Sequence, residues 1–340
     1  MKRALFIYNP NAGKGLLKPK LSDILDTIVK GGYEVEVYPT QKYRDAYHKV
    51  ATFTNHYDRV ICSGGDGTLD EVVTGMMMRE ERIPIGYIPT GTTNDFASSL
   101  HIPKDLLQAA NTAVCGEEFP CDIGRFNKDV FVYIAAFGLF TDVSYETKQE
   151  MKNILGHLAY VLEGMTKILD IPSYHLKVTH DSEVIEDEFI FGMVTNSRSV
   201  GGFRNMIGRN VIFDDGEFEV TLIKTPKNPS ALREIITSLV TNQMHTNYMY
   251  SFKTKKIKFE SLEEIPWTLD GEFGGQHDVV RIKNAQKALK IVVPEGCSEH
   301  LSLEGMRKRK EREEAGILED EDDDIGFGRG SVFDVINPKM

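Results

Sequence analysis

The chain has few cysteines and no long apolar run. Four cysteines occur among 340 residues without a Cys-x-x-Cys pair, so the sequence offers no zinc motif and no disulfide framework. The longest apolar run, Val130–Phe140, has about half of the ~20 residues that a membrane-spanning helix needs. The apolar stretch before Asn9 is too short for a signal peptide. We therefore expect a cytoplasmic protein with reduced thiols.

Basic residues are fewer than acidic ones, with 40 lysines and arginines against 51 aspartates and glutamates. The formal net charge of −11 disfavours a general nucleic-acid binder. Apolar residues make up 41% of the chain, which is enough for a sizeable core, and the length suits two domains or one domain with a tail. The last residues, 301–340, are rich in charge. They predict a short helix over Arg307–Glu314 and then a disordered acidic segment that includes Glu319–Asp324.

The first part of the chain alternates short apolar runs with amphipathic stretches. The predicted strands are Ala4–Tyr8, Tyr33–Tyr38, Val60–Ser63 and Pro84–Ile88, and the predicted helices are Lys18–Gly31, Tyr43–Asn55 and Leu69–Met78. This βα alternation predicts a doubly wound α/β domain over residues 1–122, with a parallel sheet between helices.

After residue 122 the pattern changes to strands separated by turns. The predicted strands are Val130–Ala135, Ser173–Thr179, Glu188–Thr195, Glu217–Ile223, Lys255–Glu260 and Val279–Lys283. The predicted helices are Asp142–Met151, continuing toward Ala159–Leu169, and Ser230–Thr241 with Ser230 as its cap. We therefore predict a β-sandwich-like domain over 123–288, with two packed sheets.

Three loops that follow predicted parallel strands carry the residues expected of a phosphate site. They span 9–15, 63–68 and 89–95. In the second loop, Gly-Gly-Asp-Gly-Thr, glycines let the backbone approach a polyphosphate and Asp66 can hold Mg²⁺. The following helix would direct its positive end toward the anion. An ordinary strand-to-helix turn is the alternative for this loop.

The other two loops are less specific. The first lacks the upstream glycine and the Ser/Thr of a P-loop, although Gly13 and Gly15 permit close approach and Lys14 supplies a point charge. It could equally be a plain Asn-Pro turn. In the third loop, helix capping by Asn94 or Asp95 is the alternative to a role in binding.

Taken in order, these motifs resemble the diacylglycerol kinase catalytic-domain family of soluble bacterial lipid kinases, which is related to sphingosine and ceramide kinases. The resemblance rests on Asn-Pro-x-Ala-Gly, Gly-Gly-Asp-Gly-Thr, Pro-x-Gly-Thr-x-Asn-Asp-Phe-Ala, Asp215-Gly216-x-Phe218 and Asp270-Gly271-Glu272, within residues ~1–296. Phe137–Asp142 is similar to a further family segment but lacks its second glycine. The family fold implies an α/β domain like that of NAD kinase and phosphofructokinase, rejoined by residues 289–300.

The resemblance also implies a set of site residues. Those for ATP would be Asn9, Pro10, Asn11, Ala12, Gly13, Lys14, Thr40, Gly64, Gly65, Asp66, Gly67, Thr68, Leu69, Asp70, Glu71 and Thr92. Glu272 would be the general base that deprotonates the lipid hydroxyl, with Asp66 as the competing candidate. Asp95 would support the site, and we expect it to pair with Lys14. A structural Mg²⁺ would be bound by Asp215 and by the carbonyls of Ile212 and Glu217.

The implied activity is ATP- and Mg²⁺-dependent phosphorylation of diacylglycerol to phosphatidic acid. Phosphatidylglycerol, a sphingoid base or a polyprenol are alternative acceptors. NAD is a further alternative, which the third loop disfavours, and a non-catalytic lipid-binding relative is another. The implied setting is peripheral, transient contact with the inner face of the membrane, with a possible homodimer and no nucleic acid. A lysine stripe, Lys253, Lys255, Lys256 and Lys258, could meet anionic headgroups or guard a strand edge.

Overall fold

The computed structural model describes residues 1–138, 172–198, 211–241 and 246–314. The strands are β1 (Lys2–Tyr8), β2 (Tyr33–Pro39), β3 (Arg59–Gly64), β4 (Ile85–Pro89), β5 (Glu117–Phe126), β6 (Asp129–Phe131), β7 (Ile134–Gly138), β8 (Tyr174–His180), β9 (Glu183–Thr195), β10 (Phe218–Lys224), β11 (Met249–Thr254), β12 (Lys256–Leu269) and β13 (Glu272–Val293). The helices are α1 (Leu21–Lys30), α2 (Asp45–Thr52), α3 (Asp66–Met77), α4 (Asp95–Ser99), α5 (Leu106–Cys115), α6 (Pro229–Thr241), α7 (Ser298–Leu301) and α8 (Leu303–Glu314).

The N-terminal strands form a parallel sheet in the order β4-β3-β1-β2. Tyr8, at the end of β1, lies opposite Pro39 on one side and Ser63 on the other, and Ser63 lies opposite Ile88. The carboxyl ends of all four strands therefore meet at one edge, where α/β sheets bind ligands. The predicted parallel α/β domain is confirmed.

The second group of strands closes on itself. Strands β7 and β8 each pair with both β9 and β12, so that these four strands enclose an interior. Aromatic side chains fill this interior, and Trp267, Phe137 and Phe259 pack against one another with centroids 4.9 to 5.8 Å apart. This arrangement agrees with the predicted sandwich-like domain, although hydrogen bonds join all strands into one 13-stranded sheet.

Strand β13 joins the two groups. Its first half, from Glu272 to Lys283, pairs with β12, and its second half, from Ile282 to Val293, pairs with β5. Ile291 also pairs with Ile85 of β4. The predicted domain boundaries after residues 122 and 288 both fall inside strands, β5 and β13. The end of β13 therefore extends the N-terminal sheet.

Several element bounds differ from the predicted ones. The predicted strand Val130–Ala135 is two strands, β6 and β7, because the intervening N–H groups of Val132 and Tyr133 donate to the carboxylate of Asp270 rather than to a neighbouring strand. Ser230 does not cap α6. The side chain of Asn228 accepts from the N–H of Ala231 at 2.8 Å, and Pro229 occupies the first helical position.

Other predicted elements fall outside the described residues. They are the helices over Asp142–Met151 and Ala159–Leu169, most of the family segment after Gly138, and the acidic segment Glu319–Asp324. The predicted helix Arg307–Glu314 is part of α8. Within the residues described, no helix is both long and apolar enough to span a bilayer.

Candidate active site

A cleft of about 510 Å³ opens at the carboxyl edge of the N-terminal sheet, facing the turn between β12 and β13. The predicted site residues that line it are Asn9, Asn11, Ala12, Gly13, Thr40, Gly65, Asp66, Gly67, Thr68, Glu71, Thr92 and Glu272. Six other residues predicted for ATP binding or catalysis are absent from its lining: Pro10, Lys14, Gly64, Leu69, Asp70 and Asp95. The fold thus brings together residues from the four loops after β1 to β4 and from the β12–β13 turn.

The first loop is held tightly against the third. The side chain of Asn9 accepts from the N–H of Asn11 at 2.9 Å, which closes a local turn. Gly13 has a φ of 57°, and a Cβ added there would lie 2.0 Å from the carbonyl oxygen of Thr90. Both the backbone conformation and the close approach therefore require glycine.

Asp66 is the first residue of α3, which begins three residues earlier than the sequence predicted. Its Oδ1 is shielded from solvent and has no hydrogen-bond partner among the residues described. Burial raises the pKa of Asp66 to about 7, and the charges of Asp95 and Asp270 add to this effect. A shielded oxygen without a partner, beside other carboxylates, fits a residue that binds a divalent cation.

The third loop is organised by Asn94. Its φ is 52°, and its side chain accepts from the N–H of Gly91 at 3.0 Å while donating to the carbonyl of Gly91 at 2.7 Å. The alternative interpretation of this loop was helix capping by Asn94 or Asp95. Asn94 is the N-cap residue of α4, but its side chain makes no capping hydrogen bond. Asp95 is the first residue of the helix.

Asp95 lies behind the cleft rather than in it. Its side chain is buried, and its charge acts on Asp66. Lys14 is exposed, with a φ of 57°, and no ion pair joins it to Asp95 within the described part of the chain. The expected Lys14–Asp95 pair is therefore wrong, because one group is solvated and the other is enclosed.

Asp70 forms a carboxyl pair with Asp270, which lines the cleft. Asp270 accepts from the backbone N–H groups of Val132, Tyr133 and Ile134 at 2.5, 2.9 and 3.0 Å, which satisfies it as an anion. Burial and the neighbouring charge of Asp270 raise the pKa of Asp70 well above its usual range, while the pKa of Asp270 is about 6. The three backbone donors favour the ionised form of Asp270, so we expect a proton held by the pair to rest on Asp70.

We expect the Asp70→Asn variant to be as stable as the original chain near pH 4 and more stable near pH 8. The folded protein holds a proton at Asp70 that the unfolded chain loses above its pKa of about 3.9, so stability falls as pH rises beyond that value. The side-chain amide of asparagine can donate a hydrogen bond to Asp270 at any pH, so it needs no bound proton. Thermal melting across this pH range measures the effect, with the exposed Asp23→Asn as control. Parallel pH profiles for the original chain and Asp70→Asn would contradict the shared proton.

Glu272 projects from the β12–β13 turn to the second loop. Its Oε2 accepts from the Tyr43 hydroxyl at 3.2 Å. A Cβ added at Gly67 would lie 2.9 Å from its Oε1, so Gly67 leaves the space that this carboxylate occupies. Asp270 has a φ of 51° and Gly271 a φ of 88°, which gives the tight turn that presents Glu272. The Gly-Gly-Asp-Gly-Thr motif of the second loop and the Asp270-Gly271-Glu272 motif thus meet at one carboxylate.

A fourth loop, after β2, contributes residues that sequence analysis missed. Gln41, Lys42 and Tyr43 line the cleft, whereas only Thr40 was predicted. Glu71 fixes this loop, because its two carboxylate oxygens accept from the backbone N–H groups of Arg44 at 2.7 Å and Ala46 at 3.0 Å. The signal was present: β2 is parallel to β1, so its carboxyl end had to reach the same edge.

The predicted structural metal turn lies away from the cleft. Asp215 accepts from the N–H of Glu217 at 2.9 Å, and the Lys253 ammonium lies 3.5 Å from its other oxygen. Lys253 is also 3.0 Å from the buried carboxylate of Glu219, whose Oε2 has no partner among the described residues. One ammonium thus serves two shielded carboxylates, and burial raises the pKa of Glu219 to about 7, so a further cation here would favour its ionised form. Carbonyls and a single carboxylate from this turn also suit Mg²⁺.

Two family models match the chain, one over each domain. Residues 3–126 match the diacylglycerol kinase catalytic domain, and residues 136–293 match the YegS C-terminal NAD kinase beta sandwich-like domain. A curated diacylglycerol kinase of Staphylococcus carnosus is 35% identical over 278 residues, which are 81% of this chain and 90% of that protein. The chain belongs to the diacylglycerol kinase catalytic-domain family.

Further relatives agree with this membership of the diacylglycerol kinase family. The diacylglycerol kinase of Bacillus subtilis is 33% identical over 303 residues, which are 88% of this chain and 99% of that protein. A crystal structure of a candidate diacylglycerol kinase from Bacillus anthracis is similar to this structure, with a TM-score of 0.72 and 28% sequence identity. The match covers 86% of this chain and 97% of the Bacillus anthracis chain. The chain is therefore a lipid kinase, and its fold class is confirmed.

Proposed function

We propose that this lipid kinase transfers the γ-phosphoryl group of ATP to the hydroxyl of diacylglycerol and so forms phosphatidic acid. The observation that carries the proposal is the convergence of Asp66 and Glu272, from different domains, on one cleft lined by glycine-rich loops. Phosphoryl transfer needs positioned phosphates, neutralised charge and a proton acceptor. The cleft has residues suited to each task.

Glycine backbones at Gly13, Gly65 and Gly67 suit close approach to the triphosphate, beside the positive end of α3. Lys42 is a cleft-lining cation that can supply the point charge expected of Lys14. Mg²⁺ bound at Asp66 would neutralise phosphate charge. This matters because Asp66, Glu71, Asp270 and Glu272 otherwise present carboxylates to a polyanion. The site is therefore expected to depend on a divalent cation.

Glu272 is the general base in this proposal. Its carboxylate takes the proton of the lipid hydroxyl while the hydroxyl oxygen bonds to the γ-phosphorus, and the bond from that phosphorus to the ADP oxygen breaks. The Tyr43 hydroxyl donates to one oxygen of this carboxylate, and Gly67 leaves the space that the other oxygen occupies. Asp66 is the weaker candidate for the base, since metal binding would occupy the same oxygens that proton transfer needs.

A structural Mg²⁺ at the Asp215 turn belongs to the proposal as well. The ion would be held by the Asp215 carboxylate and the carbonyls of Ile212 and Glu217. The two shielded carboxylates around Lys253 and the partnerless Oε2 of Glu219 support it.

We expect Mg²⁺ to raise the melting temperature of an Asp66→Asn variant, which lacks the carboxylate proposed to bind Mg²⁺ in the cleft. The melting temperature of the double variant Asp66→Asn/Asp215→Asn should not respond to Mg²⁺. A ligand at 100 times its Kd stabilises the folded state by about 2.7 kcal/mol. Melting with Mg²⁺ and with a chelator measures this effect. Identical melting of Asp66→Asn in the two buffers would remove the structural ion from the proposal.

The proposed setting is cytoplasmic, with peripheral and transient contact at the inner face of the membrane, and with a homodimer as the proposed assembly. A lipid acceptor requires such contact, and the described residues include no helix able to span a bilayer. Other lipids with a free hydroxyl would present the same nucleophile to the cleft. Phosphatidylglycerol, sphingoid bases and polyprenols therefore stay in the test as alternatives.

The deciding experiment measures Mg²⁺-dependent ADP release from ATP against micellar lipids, with NAD as a further acceptor. Turnover with diacylglycerol alone supports the proposal. Turnover with another lipid keeps the mechanism and replaces the substrate. Stoichiometric lipid binding without ADP release from any acceptor would instead support a non-catalytic relative.

A further inference from the structure

Five cations lie on one outward face of the second domain: Arg125, Lys256, Lys258, Arg281 and Lys283. We call this set the basic face. Four of the five side chains are exposed, and Lys258 is half-buried. They come from three adjacent strands, β5, β12 and β13, on a protein whose net charge is −11.

The strand register explains why these cations share a face. Lys256 lies directly opposite Lys283, which in turn lies opposite Arg125, while Lys258 lies opposite Arg281. The alternating neighbours on the same strands, Ile257, Phe259, Val280, Ile282 and Phe126, are buried in the second core. Because side chains alternate between the faces of a sheet, the cations point outward.

Like charges that face each other across strands destabilise a sheet. One carboxylate offsets them in part, since Glu260 lies 2.5 Å from the Lys258 ammonium. Arg125, Lys256 and Lys283 make no ion pair with any described residue. An anionic partner would remove this repulsion.

The basic face is not the lysine stripe that the sequence suggested. Lys253 lies on β11 and is committed to Asp215 and Glu219. Lys256 and Lys258, by contrast, join cations that are distant in sequence. A linear scan could not find the set, because pairing with β5 and β13 brings Arg125, Arg281 and Lys283 beside them.

We propose that the basic face binds an anionic phospholipid surface and holds the enzyme at the membrane. This inference rests on the proposed function, because a lipid kinase must work at a bilayer. Charge complementarity supports the choice of partner: the face is positive on an otherwise acidic chain, so the membrane would meet this surface first. The contact is electrostatic and therefore weakens as salt is added.

The test compares the full-length chain with the variant Lys256→Gln/Arg281→Gln/Lys283→Gln. Co-sedimentation is measured without ATP, on vesicles of phosphatidylcholine alone and of phosphatidylcholine with phosphatidylglycerol. Each cation near an anionic surface changes the binding constant about fivefold, so three should lower it about 100-fold. The control, Lys30→Gln/Lys290→Gln/Lys308→Gln, removes three exposed cations elsewhere and should bind as the original chain does.

ADP release with a water-soluble short-chain diacylglycerol separates this inference from the proposed function. The triple variant should keep that activity, because its changes are remote from the cleft, and lose activity on anionic vesicles. Equal sedimentation of the variant and the original chain would overturn the inference, as would equal binding to neutral and anionic vesicles. Tighter binding of an oligonucleotide than of anionic vesicles would assign the face to nucleic acid and overturn it as well. Vesicle binding without turnover on any lipid would leave this inference standing and refute the proposed function.

Discussion

Asp66→Asn is expected to lower ADP release by about 10³-fold or more while the protein stays folded. A bound metal contributes several kcal/mol to a transition state with developing charge, and each ~1.4 kcal/mol is a factor of ten in rate. The substitution removes the charge that would hold Mg²⁺ but keeps the shape of the side chain. Steady-state turnover with saturating ATP and Mg²⁺ measures the loss.

The same variant should gain stability above neutral pH. Burial raises the pKa of Asp66 to about 7, so its carboxylate is held ionised in the folded state only at a cost, and that cost grows as pH rises from about 4 toward 7. Asparagine carries no such charge. Lost activity together with a higher melting temperature near pH 8 would identify a group placed for function. The exposed Asp26→Asn serves as control, and retained turnover in Asp66→Asn would contradict the metal role.

Glu272→Gln is expected to lower kcat by about 10²- to 10⁴-fold, the range for a lost general base, with the KM for ATP unchanged. Glutamine keeps the size of the side chain and can still contact Tyr43, so the loss would report proton transfer rather than packing. Because Glu272 is exposed, the free energy of unfolding should change little. Turnover on a soluble short-chain diacylglycerol measures the effect without interference from membrane binding.

Two further variants sharpen the assignment of the base. Glu264→Gln, an exposed glutamate on the same hairpin, should behave as the original chain. Tyr43→Phe removes one hydrogen bond to Glu272 and should cost about tenfold or less in kcat. If turnover of Glu272→Gln stays within about threefold of that of the original chain, Asp66 replaces Glu272 as the assigned general base.

Local patterns predicted much of the α/β domain. Apolar runs of strand length, each followed by an amphipathic stretch, placed β1 to β4, and parallel strands necessarily gather their carboxyl ends at one edge. The glycines at positions 13, 65 and 67 were found for the same reason, since close backbone approach leaves a residue-type signal. The approaches of Gly13 to Thr90 and of Gly67 to Glu272 were not predicted, because each joins residues that are remote in sequence.

Long-range contacts account for what the sequence missed. The break between β6 and β7 depends on Asp270, more than a hundred residues away, and no local pattern marks it. Glu71 lines the cleft, and its oxygens also hold the loop that presents Tyr43, a contact between remote residues that no local pattern marks. The full length of β13 was missed because its residues alternate only weakly between apolar and polar.

Strand β13 has a consequence for how the protein comes apart. One uninterrupted strand is hydrogen-bonded both to β12 of the second domain and to β4 and β5 beside the first. Neither half can melt without stripping that strand from the other, so denaturation should follow a single transition. A protease should likewise release no stable half-molecule. The positions of Asp66 and Glu272 in the cleft should be lost in the same unfolding step.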